Sequence, residues 1–460
     1  MGNVRRPLGY WYGTDSDDTA LPDGVTGPIA NTRLGTSHQT FPFPDLVRNR
    51  PSRFRGGLRA APPAGDCHRR TVVKHSVLGL RMDVGMITIA SVGVDHYRIP
   101  LPVVLSDSTH GDIAAFELVT VRLRDAAGVE GLGYTYTVGQ GGAAIAVLVE
   151  RDLRPVLLGA EADRIEALWQ RLWWRLHYGG RGGFACLAIA AVDIALWDMR
   201  ARRFATPLWR LLGGHDPRVP AGACPRAARS AGPGAGGIDL DFPLDRLLRQ
   251  TDENREKGFR AIKMKVGRPR LSDDLERVRT MREHLGADFP LMVDANMRWS
   301  VDEAVRAARG LAEFGVYWLE EPTIPDDVAG HRRIVRDGGL PVATGENLHT
   351  LYEFKEMIAA GGVSFPEADV TNCGGVTNFL KIAHLAEAFN LPITSHGAHD
   401  VTVQLLAALP NRSYLEVHGF GLERFLLHPF ELADGMATAP ERPGHGVEFD
   451  WRGLDRVRAP

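Results

Sequence analysis

The sequence predicts an α/β protein: a parallel (β/α) barrel preceded by an α+β unit. Three observations carry this. After Gly214, short apolar runs alternate with amphipathic stretches, one strand and one helix per roughly 25 residues, the rhythm of parallel βα units. There are too many such units for one open mononucleotide-binding half. An ionisable or amide-bearing residue also ends nearly every one of these strands, and barrels place their active sites at that end.

Residues 1–85 stand apart. They hold no glutamate, a single lysine (Lys74) and eight prolines, and their apolar residues lack any period of 2 or 3.6. Such a stretch buries too little surface to offset its ordering entropy, which predicts a disordered extension, with Met82 or Met86 as the working start. A docking arm is the alternative.

From Ile87 the texture changes. ITIASVGVDHYRIPL and FELVTVRLRDAAGVEGLGYTYT alternate like antiparallel strands, with a turn at Asp125–Gly128, and helical patterns follow over 163–176 and 184–201. This is the α+β unit, over 86–214. The barrel is expected over 215–415, on strands AIKMKV (261–266), PLMVDAN (290–296), YWLEEP (317–322), PVATGEN (341–347), FPEADV (365–370), LPITSH (391–396) and SYLEVH (413–418). Helices are expected between them, at 272–284, 301–314, 351–360, 377–389 and 401–409. The Gly-, Ala- and Pro-rich region 221–237 breaks the rhythm and reads as a short strand followed by an inserted loop.

Composition narrows the class. The net charge of −2 gives no reason for a nucleic-acid or anionic-membrane partner. The four cysteines (Cys67, Cys186, Cys224 and Cys373) are scattered without a CxxC pair, which excludes a disulfide framework and a thiolate zinc site and fits a reducing, cytoplasmic setting. No run of 18 apolar residues exists, so no membrane span is expected.

The chemistry lies at the strand ends. From Lys265 the steps to Asp294, Glu320, Glu346, Asp369, His396 and Glu416 are 29, 26, 26, 23, 27 and 20 residues, one group per βα unit. Alternation in a strand puts Lys263 with Lys265, and Asp294 with Asn296, on shared faces. Asp294, Glu320 and Glu346 converging on one point repel one another unless a cation joins them. Oxygen-only ligands select a hard one, Mg²⁺ above all, with Mn²⁺ a possible substitute. Any one of these acids alone would read as a salt-bridge partner or loop cap. A second ammonium at Lys263 and a nearby cation favour the neutral amine of Lys265, making it a plausible base. Asp369 behind His396 would fix the imidazole tautomer, so Lys265 and His396 flank one substrate position.

With KMK (263–265), VDAN (293–296), WLEEP (318–322), GEN (345–347), the DVTNCGGVT run from Asp369, SH (395–396) and LE (415–416), the chain from about 87 to 455 resembles the enolase superfamily, and within it the mandelate racemase subgroup. The resemblance implies a modified (β/α)7β TIM-type barrel closed over by an α+β capping domain, with residues 416–460 completing both. It also implies Mg²⁺ on Asp294, Glu320 and Glu346, Lys265 and the His396–Asp369 pair as acid/base catalysts, and Lys263 and Glu416 contacting the substrate carboxylate or enediolate. A homo-oligomer is implied too.

The expected reaction is abstraction of the proton α to a carboxylate, giving an enediolate stabilised electrostatically. The favoured outcome is dehydration of an acid sugar, a hexarate such as galactarate or talarate, to a 2-keto-3-deoxy acid. The alternative is racemisation, epimerisation or cycloisomerisation of a hydroxy-carboxylate or sugar-acid lactone. The expected lid loops, SDSTHGD (106–112) and YTYTVGQGG (134–142), are rich in hydroxyls and glycine, whereas a mandelate-like aromatic substrate would call for an apolar lid. Substrate contacts are expected from Asn296, His110, Tyr136 and Arg181, with Arg298 and His399 as further candidates. A Schiff-base aldolase using Lys265 is opposed by the carboxylate cluster, and a purely metal-binding barrel by the presence of both Lys265 and His396.

Overall fold

The computed structural model describes residues 87–223, 240, 242–417, 421–429 and 431–460. The extension at 1–85, Cys67, Cys224 and nearly all of the 221–237 region lie outside the described residues.

An antiparallel sheet comes first, β1 (Ile89–Asp107), β2 (Gly111–Asp125) and β3 (Glu130–Thr137), in that order. The turn expected at Asp125 forms: the Asp125 carboxylate accepts from Val129 N at 2.8 Å and its carbonyl from Gly128 N at 3.0 Å. The first hairpin runs further than its alternation indicated. The strands continue past a register irregularity between Pro100 and Leu105 to a three-residue tip at 108–110, so part of SDSTHGD is strand.

Helices α1 (Gly142–Leu148), α2 (Arg154–Leu157), α3 (Ile165–Leu176), α4 (Phe184–Arg203) and α5 (Leu208–Leu211) follow. Helix α4 is alanine-rich and buried nearly all round, with β3 on one side and the barrel on another. The cap has its own core, built from Val119, Val121, Leu172 and Ile189 among others.

Eight parallel strands then close on themselves: β4 (Arg218–Ala223), β5 (Ile262–Lys265), β6 (Leu291–Asp294), β7 (Leu319–Glu320), β8 (Val342–Thr344), β9 (Phe365–Asp369), β10 (Ile393–His396) and β11 (Arg412–Val417). Closure is the β11–β4 pairing, Glu416 opposite Gly222. Seven helices intervene: α6 (Leu244–Glu256), α7 (Leu271–Leu285), α8 (Val301–Ala312), α9 (Val328–Gly338), α10 (Leu351–Ala360), α11 (Val376–Ala388) and α12 (His399–Leu406). Among the described residues no α-helix follows β11 as the others follow their strands, so this is a (β/α)7β barrel. At its floor Tyr317 meets Trp318 and Tyr414 edge to face, and Phe365 packs tilted against Trp318 beside buried Met292.

The chain end ties the two parts together. A hairpin, β12 (Glu431–Ala433) and β13 (Met436–Thr438), pairs antiparallel with β4, and α13 (Trp451–Asp455) leads to an Ala459 N–H that donates to His96 of β1 at 2.9 Å. Trp169 and Trp197 of the cap donate to Gly374 and Thr377 of the barrel at 2.8 and 2.9 Å.

Candidate active site

Strand register sets the site. Lys265 stands opposite Asp294, Asp294 opposite Glu320, and Asp369 opposite His396, so these groups reach the barrel mouth together. Glu346 comes from the loop just beyond β8. Carboxylate oxygens of Asp294, Glu320 and Glu346 all lie within 4.8 Å of one another. That spacing and the all-oxygen donor set fit a hard divalent cation such as Mg²⁺.

The lysines face the acids. Lys265 Nζ donates to Asp294 Oδ2, and Lys263 Nζ donates to Glu320 and lies 2.5 Å from Glu416 Oε1 and 3.6 Å from Asp294 Oδ2. Burial works against the charge on Lys263, but Glu320, Glu416 and Asp294 outweigh it and hold the ammonium well above the ordinary lysine range. Lys263 is thus a buried cation among carboxylates, the second ammonium that the sequence places beside Lys265.

On the other side, His396 Nδ1 lies 2.9 Å from Asp369 Oδ2 and Nε2 lies 3.3 Å from Glu346 Oε2. Asp369 is also met by the Tyr136 hydroxyl at 2.7 Å and by Thr371 N and Oγ1 at 2.7 and 2.6 Å. Burial opposes ionisation of Asp369, yet these donors hold its carboxyl below the usual range. Burial likewise disfavours the imidazolium, but Glu346, Glu416 and the bond to Asp369 push His396 up to about 10.

The expected substrate contacts divide. Tyr136 bonds Asp369 instead of standing free at the mouth, so it positions the Asp369–His396 pair. Asn296 does not share a face with Asp294 by strand alternation, because β6 ends at Asp294 and the chain turns left-handed at Asn296 (φ 42°) and Met297 (φ 63°). Its N–H caps Asp294 Oδ1 at 2.8 Å. Arg181 is exposed and lines a neighbouring groove of about 910 Å³ with Trp173, Met297, His349 and Tyr352. Arg298 lines a second, arginine-rich pocket with Arg268 and Arg306, and His399 a small cavity beside Tyr134 and Tyr136. His110 is at the tip of the β1–β2 hairpin, over the mouth.

Other residues escaped the reading of the sequence. Thr371 holds Asp369, and a Thr two residues after an Asp at a strand end is a recognisable local hydrogen-bonding pattern. Asn347 donates to the buried Glu321 at 2.8 Å, for which no local signal exists.

Residues 87–213 match the family described as mandelate racemase / muconate lactonizing enzyme, N-terminal domain, and residues 246–453 the enolase C-terminal domain-like family. A 3,6-anhydro-alpha-L-galactonate cycloisomerase from Streptomyces coelicolor is 57% identical over 369 residues, 80% of this chain and 99% of that protein. An L-talarate/galactarate dehydratase from Salmonella typhimurium is 36% identical over 73% of this chain and 80% of that protein. Among solved structures, a racemase from Streptomyces coelicolor with bound magnesium aligns with TM-score 0.77 and 55% identity, over 81% of this chain and all of that one.

These findings overturn acid-sugar dehydration as the favoured reaction. The cycloisomerase shares far more of the sequence than the L-talarate/galactarate and arabinonate dehydratases, which are at 36% and 30%. Both reactions begin with the same α-proton abstraction, and a hydroxyl-rich lid suits either substrate.

Proposed function

Because the chain belongs to the mandelate racemase / muconate lactonizing enzyme family of the enolase superfamily, we propose that it is a Mg²⁺-dependent cycloisomerase that opens the ring of a 3,6-anhydro-galactonate. What supports this is the 57% identity to an enzyme of that activity across 99% of its length, together with a complete set of acid/base and carboxylate groups.

Asp294, Glu320 and Glu346 would hold Mg²⁺, which when bound polarises the substrate carboxylate and acidifies the α-proton. Lys265 and His396 flank the α-carbon, C2. One of them takes its proton, and the Lys263 ammonium faces the oxygens on which negative charge develops. Asp369, fixed by Tyr136 and Thr371, keeps the Nδ1 side of His396 engaged and presents Nε2 to the site. The C3–O bond then breaks, its electron pair going to the ring oxygen, which takes a proton to become a hydroxyl; the resulting enol gains a proton at C3 and loses its O–H proton, giving a 2-keto-3-deoxy acid. The oxygen stays tethered through C6, so the product is an isomer and no water is lost.

The test is incubation of the purified protein with 3,6-anhydro-alpha-L-galactonate, with Mg²⁺ and with EDTA, followed by mass and 2-keto assays. An isomeric keto acid formed only with Mg²⁺ is the expected result. Recovery of the anhydro acid unchanged, or with only its C2 configuration inverted, would refute the proposal.

A further inference from the structure

We propose that His110, anchored by Asp107 at the tip of the β1–β2 hairpin, is the acid that protonates the ring oxygen as it leaves C3; this rests on the cycloisomerase reading above. Ring opening moves protons at three places: C2 loses one, the departing oxygen gains one and C3 gains one. Among the described residues, Lys265 and His396 are the barrel groups placed to exchange a proton with C2, and both stand level with the carboxylates that would hold the cation binding the C1–C2 end. Below that level there is no room. Lys263, Glu367, Trp318 and Tyr414 leave a cavity of only about 10 Å³ above the aromatic floor. The rest of the substrate therefore extends outward, towards the hairpin tip.

That tip is built and anchored. The Asp107 carboxylate accepts from Thr109 N at 2.8 Å, His110 N at 2.6 Å and, through Oδ2, His110 Nδ1 at 2.8 Å. Its side chain is 5% exposed, while that of His110 is 42% exposed. With Nδ1 engaged by a carboxylate, Nε2 is the atom left to meet a substrate. The arrangement repeats that of Asp369 and His396, where the corresponding distance is 2.9 Å.

The tip is docked on the loop that follows the metal-site residue Asp294. Ser108 Oγ donates to the Ala295 carbonyl at 2.8 Å and Thr109 Oγ1 to that of Asn296. It packs so closely that a Cβ on Gly267 (φ 111°) would lie 3.3 Å from Ser108 Cβ. The charges acting on the imidazole come from Asp107 on its own hairpin and from Glu346 and Lys265 at the mouth. The hydrogen bond to Asp107 is the largest of these influences and favours the imidazolium, which has a proton to give.

In the step itself, C2–H breaks to the barrel base, C3–O breaks, and the oxygen takes the Nε2 proton of His110. Protonation at C3 and loss of the enol proton complete an isomerisation that needs no other reactant.

The experiment compares wild type with His110→Asn on two substrates: 3,6-anhydro-galactonate, and an acyclic 3-deoxy-3-fluoro acid sugar, whose fluoride leaves without a proton. It also follows exchange of the C2 proton in D₂O, which reports a folded, metal-loaded site. For His110→Asn, ring opening should fall at least ~100-fold, as loss of a general acid predicts. C2 exchange and fluoride release should stay within roughly threefold of wild type, since neither uses that acid. Equal loss of all three activities would make His110 a binding or structural residue and overturn the inference, as would unimpaired ring opening. Failure of the wild type to open the anhydro acid would instead refute the assigned reaction, and the role of His110 with it.

Discussion

Gly397 shows how narrow the tolerances of this site are. It follows His396 with φ 54°, and a Cβ there would collide with the Tyr136 hydroxyl and Asp369 Oδ2. Gly397→Ala is therefore expected to separate Tyr136, Asp369 and His396, lowering kcat by ~10²-fold or more while far-UV circular dichroism stays native. Normal turnover would show that the loop yields without disturbing the pair. Lys265→Ala removes one of the two groups able to reach C2. Turnover should drop by ~10³-fold or more, with the thermal midpoint changed by only a few degrees; activity within tenfold of wild type would exclude Lys265 from proton transfer. The strand-end residues were legible because alternation and a repeat of about 25 residues are local patterns. The partner of Tyr136 was not, since it lies 233 residues away and no local rule links them.

Helices α4 and α11 are joined through a buried carboxyl. Asp193 accepts from Thr377 N at 2.8 Å and Thr377 Oγ1 at 2.7 Å, and burial pushes its carboxyl from 3.8 up to about 7 despite those bonds. An acid whose pKa is raised on folding binds more protons folded than unfolded. Its contribution is fully present below pH 3.8 and is lost as the pH rises towards 7. Asn in its place keeps an acceptor for the Thr377 N–H and offers a donor to Oγ1, without titrating. Denaturant unfolding at pH 5 and pH 8 should show Asp193→Asn gaining on wild type by on the order of 3 kcal/mol between the two. Parallel pH dependences would mean that Asp193 is ionised throughout. The hairpin β1–β2 was only partly legible at this scale, because alternation fades at the Pro100–Leu105 irregularity while the strands resume beyond it.

At the scale of the molecule, cap, barrel and carboxylate cluster work as one unit. Cation binding to the folded site alone should stabilise it by ~2.7 kcal/mol at a hundredfold excess over Kd. Thermal melts with Mg²⁺ should therefore sit several degrees above melts with EDTA, and Glu346→Gln should remove most of that difference. An identical shift in the variant would place the cation elsewhere. Among the described residues no helix is long and apolar enough to cross a membrane. The matched cycloisomerase is covered to 99% of its length by 80% of this chain, and the family match begins at residue 87. A chain beginning at Met86 should accordingly keep full turnover, and its inactivity would assign the first 85 residues to the working enzyme. The sequence alone determined the barrel and the clustering of Asp294, Glu320 and Glu346 with Lys265 and His396 near one end, because strand alternation and βα spacing are encoded within tens of residues. Only the tertiary structure decided that Tyr136 bonds Asp369, that Arg181 lines a neighbouring groove and that a hairpin tip docks beside Asp294. These contacts join segments up to more than two hundred residues apart, which meet only when the cap packs on the barrel. The choice between losing water and opening a ring lay in neither pattern, since both would begin with the same proton, and the 57% identity to a cycloisomerase is what favours the second.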